Sequence, residues 1–328
     1  MPAEAVLDRI HTMYAACGKC QPDPLFSKDE PFGLTIGSSD LRCVKCQRRP
    51  LDAVMGHVLA LLIRTGILDR DASLRDVGTP LISFGYPVPY PPRIGNRGVV
   101  LVMDYVDKEA AEQIVSEVPE VRGVIKRTGS QEKSVGILDT DKPPHAYELL
   151  AGCDIRADVV TSLFGELCIY RAQSEMHIEF PRKSSPKMEI LDSLYIRGEI
   201  TNRTVVDGLA GPGTLGLMCA IGGAKKVILN DAWRPAVESI MLNIEVNRNL
   251  LGVKSGWLVD PGKLQKIGNE PVLVGKAGGS LDIEVYQGDF RRLSDVVEPA
   301  DICLIDPFPA ADPKLFAASW KKGKLIVI

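Results

Sequence analysis

Four aspartates close four apolar runs in the second half of the chain: Asp207 after Val205-Val206, Asp231 after Val227-Ile-Leu-Asn230, Asp289 after Gly288, and Asp306 after Ile302-Cys-Leu-Ile305. A carboxylate at the carboxyl edge of a parallel sheet sits where open α/β folds hold ligands. There it can accept hydrogen bonds from ribose hydroxyls or an amine, or take a proton from a reacting nitrogen. The first acid opens a glycine-rich turn, Asp207-Gly-Leu-Ala-Gly-Pro-Gly213. Gly211 and Gly213 admit positive φ and close approach of a ligand to the backbone, and the helix behind them offers free N–H groups. Asp231 follows at the spacing of a ribose-binding acid. Asp306 leads into Pro307-Phe308-Pro309. Each feature has an ordinary reading as a strand-ending turn, but four acids at consecutive strand ends argue for one shared site.

A second chemistry lies near the N-terminus, where Cys17-Gly-Lys-Cys20 and Cys43-Val-Lys-Cys46 form two C-x2-C pairs. Two such knuckles supply four thiolates for tetrahedral zinc. Two disulfides, a redox pair or an iron–sulfur cluster are the alternatives. Lys19, Arg42, Lys45, Arg48 and Arg49 surround these cysteines, where they would offset thiolate charge or meet phosphate. The other four cysteines stand singly in apolar surroundings.

The elements that must position these residues follow from periodicity. Val6, Ile10 and Met13 mark a short amphipathic helix within residues 1–14, and Val54, Val58, Leu61 and Leu62 a helix over 51–68, with His57 on its apolar face. Four prolines in Gly85–Arg93 exclude regular helix there. Strands over 98–106, 121–127 and 134–138 with a helix over 108–117 make a small α+β module at 95–150. Met176, Ile178 and Phe180 alternate with His177 and Glu179, which predicts a half-buried strand reaching back to Cys168. A helix follows over 186–196. From Thr204 strands and helices alternate strictly, implying a parallel sheet covered on both faces.

The chain has 328 residues, 45% of them hydrophobic and 25% charged, which suits globular domains and excludes a disordered one. No apolar run approaches the roughly 18 residues of a membrane span, and the N-terminus lacks the pattern of a secretory signal. A soluble, cytoplasmic protein is expected. The net charge of −3 shows no global attraction for a polyanion, so any nucleic-acid contact must be local. Arg182, Lys183 and Lys187, with Arg291-Arg292, are the candidate clusters for it, and His177 is a further candidate for substrate binding.

The glycine turn, Asn230-Asp231, Gly288-Asp289 and Asp306-Pro-Phe-Pro309 resemble motifs I to IV of class I S-adenosylmethionine-dependent methyltransferases. Asp306-Pro-Phe is similar to the Asp-Pro-Phe-Gly motif of tRNA guanine-26 N2-methyltransferases. Tyr147-Glu-Leu-Leu-Ala-Gly152, the run around His177, and Glu238, Asn243 and Asn247 resemble the archaeal-type tRNA guanine-37 N1-methyltransferase and wybutosine-pathway family. The resemblance covers about residues 120 to 328. It implies a Rossmann-like methyltransferase domain (191–328), which joins the zinc-binding module (1–50) read from the cysteine pairs and a helix plus small α+β substrate-recognition domain (51–190) in an α/β chain.

By that resemblance Asp207, Leu209, Gly211 and Gly213 would hold the methionine part of S-adenosylmethionine, Asp231 its ribose, and Asp289 with Phe290 its adenine. Asp306, Pro307 and Phe308 would hold the acceptor nitrogen. The expected cofactors are S-adenosylmethionine and structural Zn2+, and the expected partner is tRNA, methylated on a guanine nitrogen; no membrane partner is expected and the oligomeric state is open. A protein side chain or metabolite as acceptor, transfer of the aminocarboxypropyl group, and a zinc-ribbon RNA-binding factor with a degenerate domain are the alternatives. This chain departs from the guanine-37 family in carrying Asp306 where that family has Asn, and Phe180-Pro-Arg-Lys-Ser-Ser-Pro-Lys-Met-Glu189 where it has a Phe-Ser-Pro-Arg-like segment. Residues 255–280 have no counterpart in the resemblance, and the sequence stops within its fifth strand.

Overall fold

The computed structural model describes residues 1–23, 26–31, 41–128, 135–137, 139–178, 185–309 and 311–328. Arg182, Lys183, Glu179 and Phe180 lie outside the described residues, as do Ser134 and Leu138 at the ends of one expected strand. The chain divides into two compact units. A cysteine unit holds the described residues of 9–133 with Ala146–Arg156. An α/β unit holds Met1–Asp8, the described residues of 134–145 and Ala157–Ile328.

In the cysteine unit a helix spans Leu51–Arg64 and buries Val54, Val58, Leu61 and Leu62, the stripe that its spacing defines. It stops short of the expected Leu68 because Gly66 takes a left-handed φ of 75°. Val99–Met103 and Val121–Lys126 pair in parallel, and the Lys108–Glu117 helix crosses between them. The Asp107 carboxylate accepts from the Ala110 N–H and caps that helix. Thr79–Ile82 and Glu148–Gly152, which show no alternating pattern, complete the sheet as antiparallel edges.

The α/β unit is built on strands β1 (Ile155–Ser162), β2 (Gly165–Ala172), β3 (Thr204–Asp207), β4 (Lys226–Asp231), β5 (Val253–Trp257), β6 (Val272–Gly279), β7 (Asp282–Gln287), β8 (Ile302–Ile305) and β9 (Lys324–Val327). Its main helices are α1 (Pro186–Ile196), α2 (Thr214–Ile221) and α3 (Arg234–Val246). One seven-stranded sheet has the order β5-β6-β7-β4-β3-β8-β9. The last five of these are mutually parallel, and β5 and β6 add antiparallel. The central order reverses at β3, so the glycine turn after β3 opens at the topological switch point, as in Rossmann-like folds. The stretch 255–280 is thus no loose insertion: with β5 it makes the hairpin that extends the sheet beyond β7. Beneath the sheet Val205, Leu217, Leu229, Val237, Ile240 and Leu304 form the core.

The strand expected over Cys168–Phe180 ends at Ala172. The Met176 N–H donates to the Ala172 carbonyl at 3.0 Å, closing a turn. Met176 then buries against Trp233 and Ala236 after this turn, and the far end of the alternation, Glu179 and Phe180, lies outside the described residues.

β2 is completed by a helix. The Asn243 side chain accepts from the Tyr170 N–H at 2.7 Å and donates to the Tyr170 carbonyl at 2.9 Å. Asn247 does the same for Cys168, at 3.2 and 2.9 Å. Four residues of helix rise about 6 Å and two residues of strand about 6.6 Å. Two amides, one on α3 and one at its C-cap, therefore match alternate residues of β2 and stand in for a neighbouring strand.

Candidate functional site

The carboxyl ends of β3, β4, β7 and β8 open on one cavity of about 1080 Å3. Leu209, Gly211, Asp231, Asp289 and Phe290 line it, as do Asp306, Pro307, Phe308 and His177. Asp207 and Gly213 stand behind the wall: Asp207 is fully buried, and Gly213 at φ 85° starts α2. Most of the residues singled out in the sequence therefore meet at one place, from strands widely separated along the chain.

Each acid has a different local environment. Asp207 Oδ2 accepts from the Gly216 N–H at 2.8 Å, while its buried Oδ1 has no hydrogen-bond partner. Burial pushes the Asp207 carboxyl up to about 7; the Gly216 N–H opposes this, and the Asp306 and Asp231 carboxylates add to it. Asp231 braces the glycine turn: its Oδ2 accepts from the Gly211 N–H and its Oδ1 from the Trp233 N–H, both at 2.8 Å. Burial raises it to about 6 against those two donors. Asp289 caps the short helix Phe290–Leu293 and pairs with Arg291, whose Nη2 lies 2.6 Å from Oδ2. Arg291 Nη2 also donates to Thr140 Oγ1 at 2.8 Å and to Asp139 at 3.1 Å. Asp306 pairs with Lys187 from the first turn of α1, Nζ to Oδ2 at 2.5 Å.

The aromatic residues divide similarly. Phe308 lies in the cavity with its ring 6.0 Å from that of His177, edge to face. Phe290 is expected beside a ligand ring, yet it is only 2% exposed and stacks on Trp320 at 5.9 Å. A Cβ on Gly208 would come within 2.3 Å of that ring, so Phe290 packs under the glycine turn and supports it.

Sequence reasoning missed Met176 and Trp233 as cavity wall, and the buried Asp158 and Arg171. The last two carried no signal beyond lying on a short apolar strand pair. Of the two arginines expected to face phosphate, Arg291 is committed to Asp289 and Asp139, whereas Arg292 pairs with Glu270 at the exposed surface.

The donor set fits S-adenosylmethionine. The orphaned Asp207 Oδ1 and the buried, unpartnered Thr214 Oγ1 flank the glycine turn, and Thr214 opens on the cavity. Gly211, at φ 53°, keeps open space that a Cβ would take up toward Met176.

In the cysteine unit, Cys17, Cys20, Cys43 and Cys46 bring their sulfur atoms within 4.8 Å of one another. The Cys17–Cys43, Cys17–Cys20 and Cys20–Cys46 sulfur pairs are 3.6, 3.7 and 3.7 Å apart. A tetrahedron with Zn–S of about 2.3 Å has edges of about 3.8 Å, so this cluster could hold zinc. Gln47, at φ 58°, turns the second knuckle, its N–H donating to the Cys43 carbonyl at 2.9 Å. Of the surrounding cations, Arg42 and Arg49 both pair with the fully buried Glu120, and Arg48 donates to the Met13 carbonyl. Three of the five candidate phosphate contacts are thus structural, and Lys19 and Lys45 stay exposed.

No family model matches the chain, and no curated protein matches it. Among solved structures it is similar to Trm5b of Pyrococcus abyssi, at 15% identity and a TM-score of 0.32 over 64% of this chain and 50% of that one. It is also similar to the tRNA m1G37 methyltransferase of Methanocaldococcus jannaschii, at 19% and 0.34 over 69% and 55%. A third is Trm1 of Pyrococcus horikoshii in complex with S-adenosyl-L-methionine, at 22% and 0.34 over 52% and 42%. The match spans about half the length of these structures. The fold described above, a Rossmann-like sheet, rests on its own strand order. No described helix is long and apolar enough to cross a membrane.

Proposed function

We propose that this chain is an S-adenosylmethionine-dependent methyltransferase acting on a guanine nitrogen of tRNA. The observation that carries the reading is the convergence of Asp231, Asp289 and Gly211 with Asp306-Pro307-Phe308 on one cavity at the switch point of the sheet. The resemblance of those same motifs to the methyltransferase families supports it. Asp231 and Asp289 would hold the ribose and adenine, the second by exchanging its bond to Arg291 for one to the amine. The turn from Leu209 to Pro212 and the unpartnered Thr214 oxygen would take the methionine part, with Asp207 and Gly213 behind them shaping the turn.

Bound there, the cofactor supplies a methyl group already activated on a sulfonium. The chain's own work is then positioning. Asp306 accepts an N–H of the acceptor and so turns the nitrogen lone pair toward the methyl group, Phe308 stacks on the base, and the Pro307 and Pro309 rings stiffen the turn between them. Forming the N–C bond at the expense of the S–C bond would release a proton from the nitrogen, which the Asp306 carboxylate would receive and pass to solvent.

A second reading, a protein side chain or metabolite as acceptor, draws support from Arg291 being engaged with Asp289 and Asp139. The test is transfer of label from methyl-labelled S-adenosylmethionine to bulk unmodified tRNA, with Asp306→Ala as control. Label on tRNA that falls at least a hundredfold in the variant, with cofactor affinity kept, supports tRNA methylation. Cofactor binding without label on tRNA, but with label on protein or small molecules of an extract, establishes the second reading. Undiminished turnover in Asp306→Ala refutes the assignment of the carboxylate.

A further inference from the structure

Lys187 stands in an unusual place. Pro186 opens α1, so Lys187 occupies the first turn, where a cation opposes the helix dipole and acids are preferred. Its ammonium is nevertheless turned into the cavity onto Asp306 Oδ2, at 2.5 Å, with both side chains partly shielded from water. Around that contact the site is acidic: Asp207 ends β3 and Asp231 ends β4. Asp306 raises the Asp207 carboxyl by its charge while Lys187 lowers it, which puts all three within one electrostatic neighbourhood. The remaining titratable groups around the cavity, among the described residues, are Asp158 and Arg171 from β1 and β2, His177 ahead of α1, and Glu189 and Asp192 further along α1. Asp139, Asp289 and Arg291 stand at its adenine end. Asp158 and Arg171 are paired with each other, and Arg291 is committed to Asp289 and Asp139. Among the described residues, the cation paired with Asp306 is Lys187.

We propose that Lys187 is a positioning residue: it holds the Asp306 carboxylate ionised and fixed by Oδ2, in the state that can accept the N–H of the acceptor. The inference rests on the methyltransferase reading above and assigns Lys187 away from the RNA-phosphate role that its neighbours Arg182 and Lys183 suggest. A lysine that meets a phosphate contributes to RNA affinity and to its salt dependence, and leaves the ionisation of the site alone. A lysine that holds a carboxylate sets the acid limb of the rate profile, because a neighbouring cation lowers a carboxyl pKa by roughly one to three units.

The experiment is a single-turnover pH profile of methyl transfer to unmodified tRNA for the full-length chain, its Lys187→Met and its Lys187→Arg variants, with the KM for tRNA at two salt concentrations. The expected result is an acid limb displaced upward by about one to three pH units in Lys187→Met, returned toward wild type in Lys187→Arg, with KM changed less than threefold. A superimposable profile together with a raised KM and a flatter salt dependence overturns the proposal in favour of a phosphate contact.

A carboxyl-carbon NMR titration of Asp306, assigned through Asp306→Asn, gives a readout independent of turnover. An Asp306 titration displaced upward in Lys187→Met supports the pairing even where wild type transfers no methyl group, an outcome in which only the methyltransferase reading fails. An unchanged titration in a folded variant overturns the pairing itself.

Discussion

The buried Asp207 makes the α/β unit's stability depend on pH in a calculable way. Burial pushes its carboxyl up to about 7 from the ordinary 3.8 of an aspartate. Between these values the folded state binds a proton that the unfolded state has released, so stability falls as pH rises and the full penalty is present above about pH 7. The whole shift corresponds to about 4 kcal/mol at about 1.4 kcal/mol per unit; the part falling between pH 5 and pH 8 is about 2 to 3 kcal/mol. Asp207→Asn removes the titration while its amide oxygen keeps the Gly216 N–H. Its new amide donor faces the place where Oδ1 has no partner, at a pH-independent cost of about 1–3 kcal/mol. The decisive quantity is therefore the difference between variant and wild type, which should grow in the variant's favour by about 2 to 3 kcal/mol from pH 5 to pH 8. Denaturant unfolding read by tryptophan fluorescence measures it selectively, because Trp233, Trp257 and Trp320 all belong to the α/β unit. A difference that stays constant across that range would falsify the assignment of a buried, largely neutral Asp207.

Two further outcomes follow from the packing. Cys43→Ser should release about one equivalent of zinc from the purified protein and render the cysteine unit sensitive to protease, since a structural metal contributes its binding free energy to folding; unchanged metal content in the variant would show that the four sulfurs are not a zinc site. Asn247→Ala leaves the Cys168 N–H and carbonyl without their side-chain partner and should destabilise the α/β unit by about 2–4 kcal/mol in the same fluorescence assay, whereas a loss below about 0.5 kcal/mol would mean that β2 finds those bonds elsewhere.

What the sequence disclosed and what it hid separate along a physical line. The helices Lys108–Glu117 and Pro186–Ile196 and the strand-helix alternation after Thr204 were legible because each carries its own period, cap or turn. The antiparallel hairpin of β5 and β6 was not. Its strands hold Gly256, Gly275, Gly278 and Gly279, residues that disfavour strands on their own, and pairing with the edge of β7 makes them strands. The alternation at Met176 misled for the converse reason. A buried methionine after a turn looks in sequence like the start of a pleat, and nothing local reveals that its partner is Trp233.

The four acids carry this argument into the site. Chain position announces all four alike, as carboxylates at strand ends, and the fold does bring them to one edge of one sheet. Their chemistry then diverges through residues that no local pattern connects to them. Gly216 leaves Asp207 half satisfied, and Gly211 and Trp233 make Asp231 a brace for the turn. Arg291 covers Asp289, and Lys187 reaches Asp306 from a different helix. Residue type and spacing thus locate a candidate active site, whereas protonation and freedom of each oxygen depend on partners that only the fold assembles. The role of an acid in such a site must accordingly be argued from its counter-ion and its donors, and Asp306 is the acid whose counter-ion can be exchanged by one substitution and read in a rate.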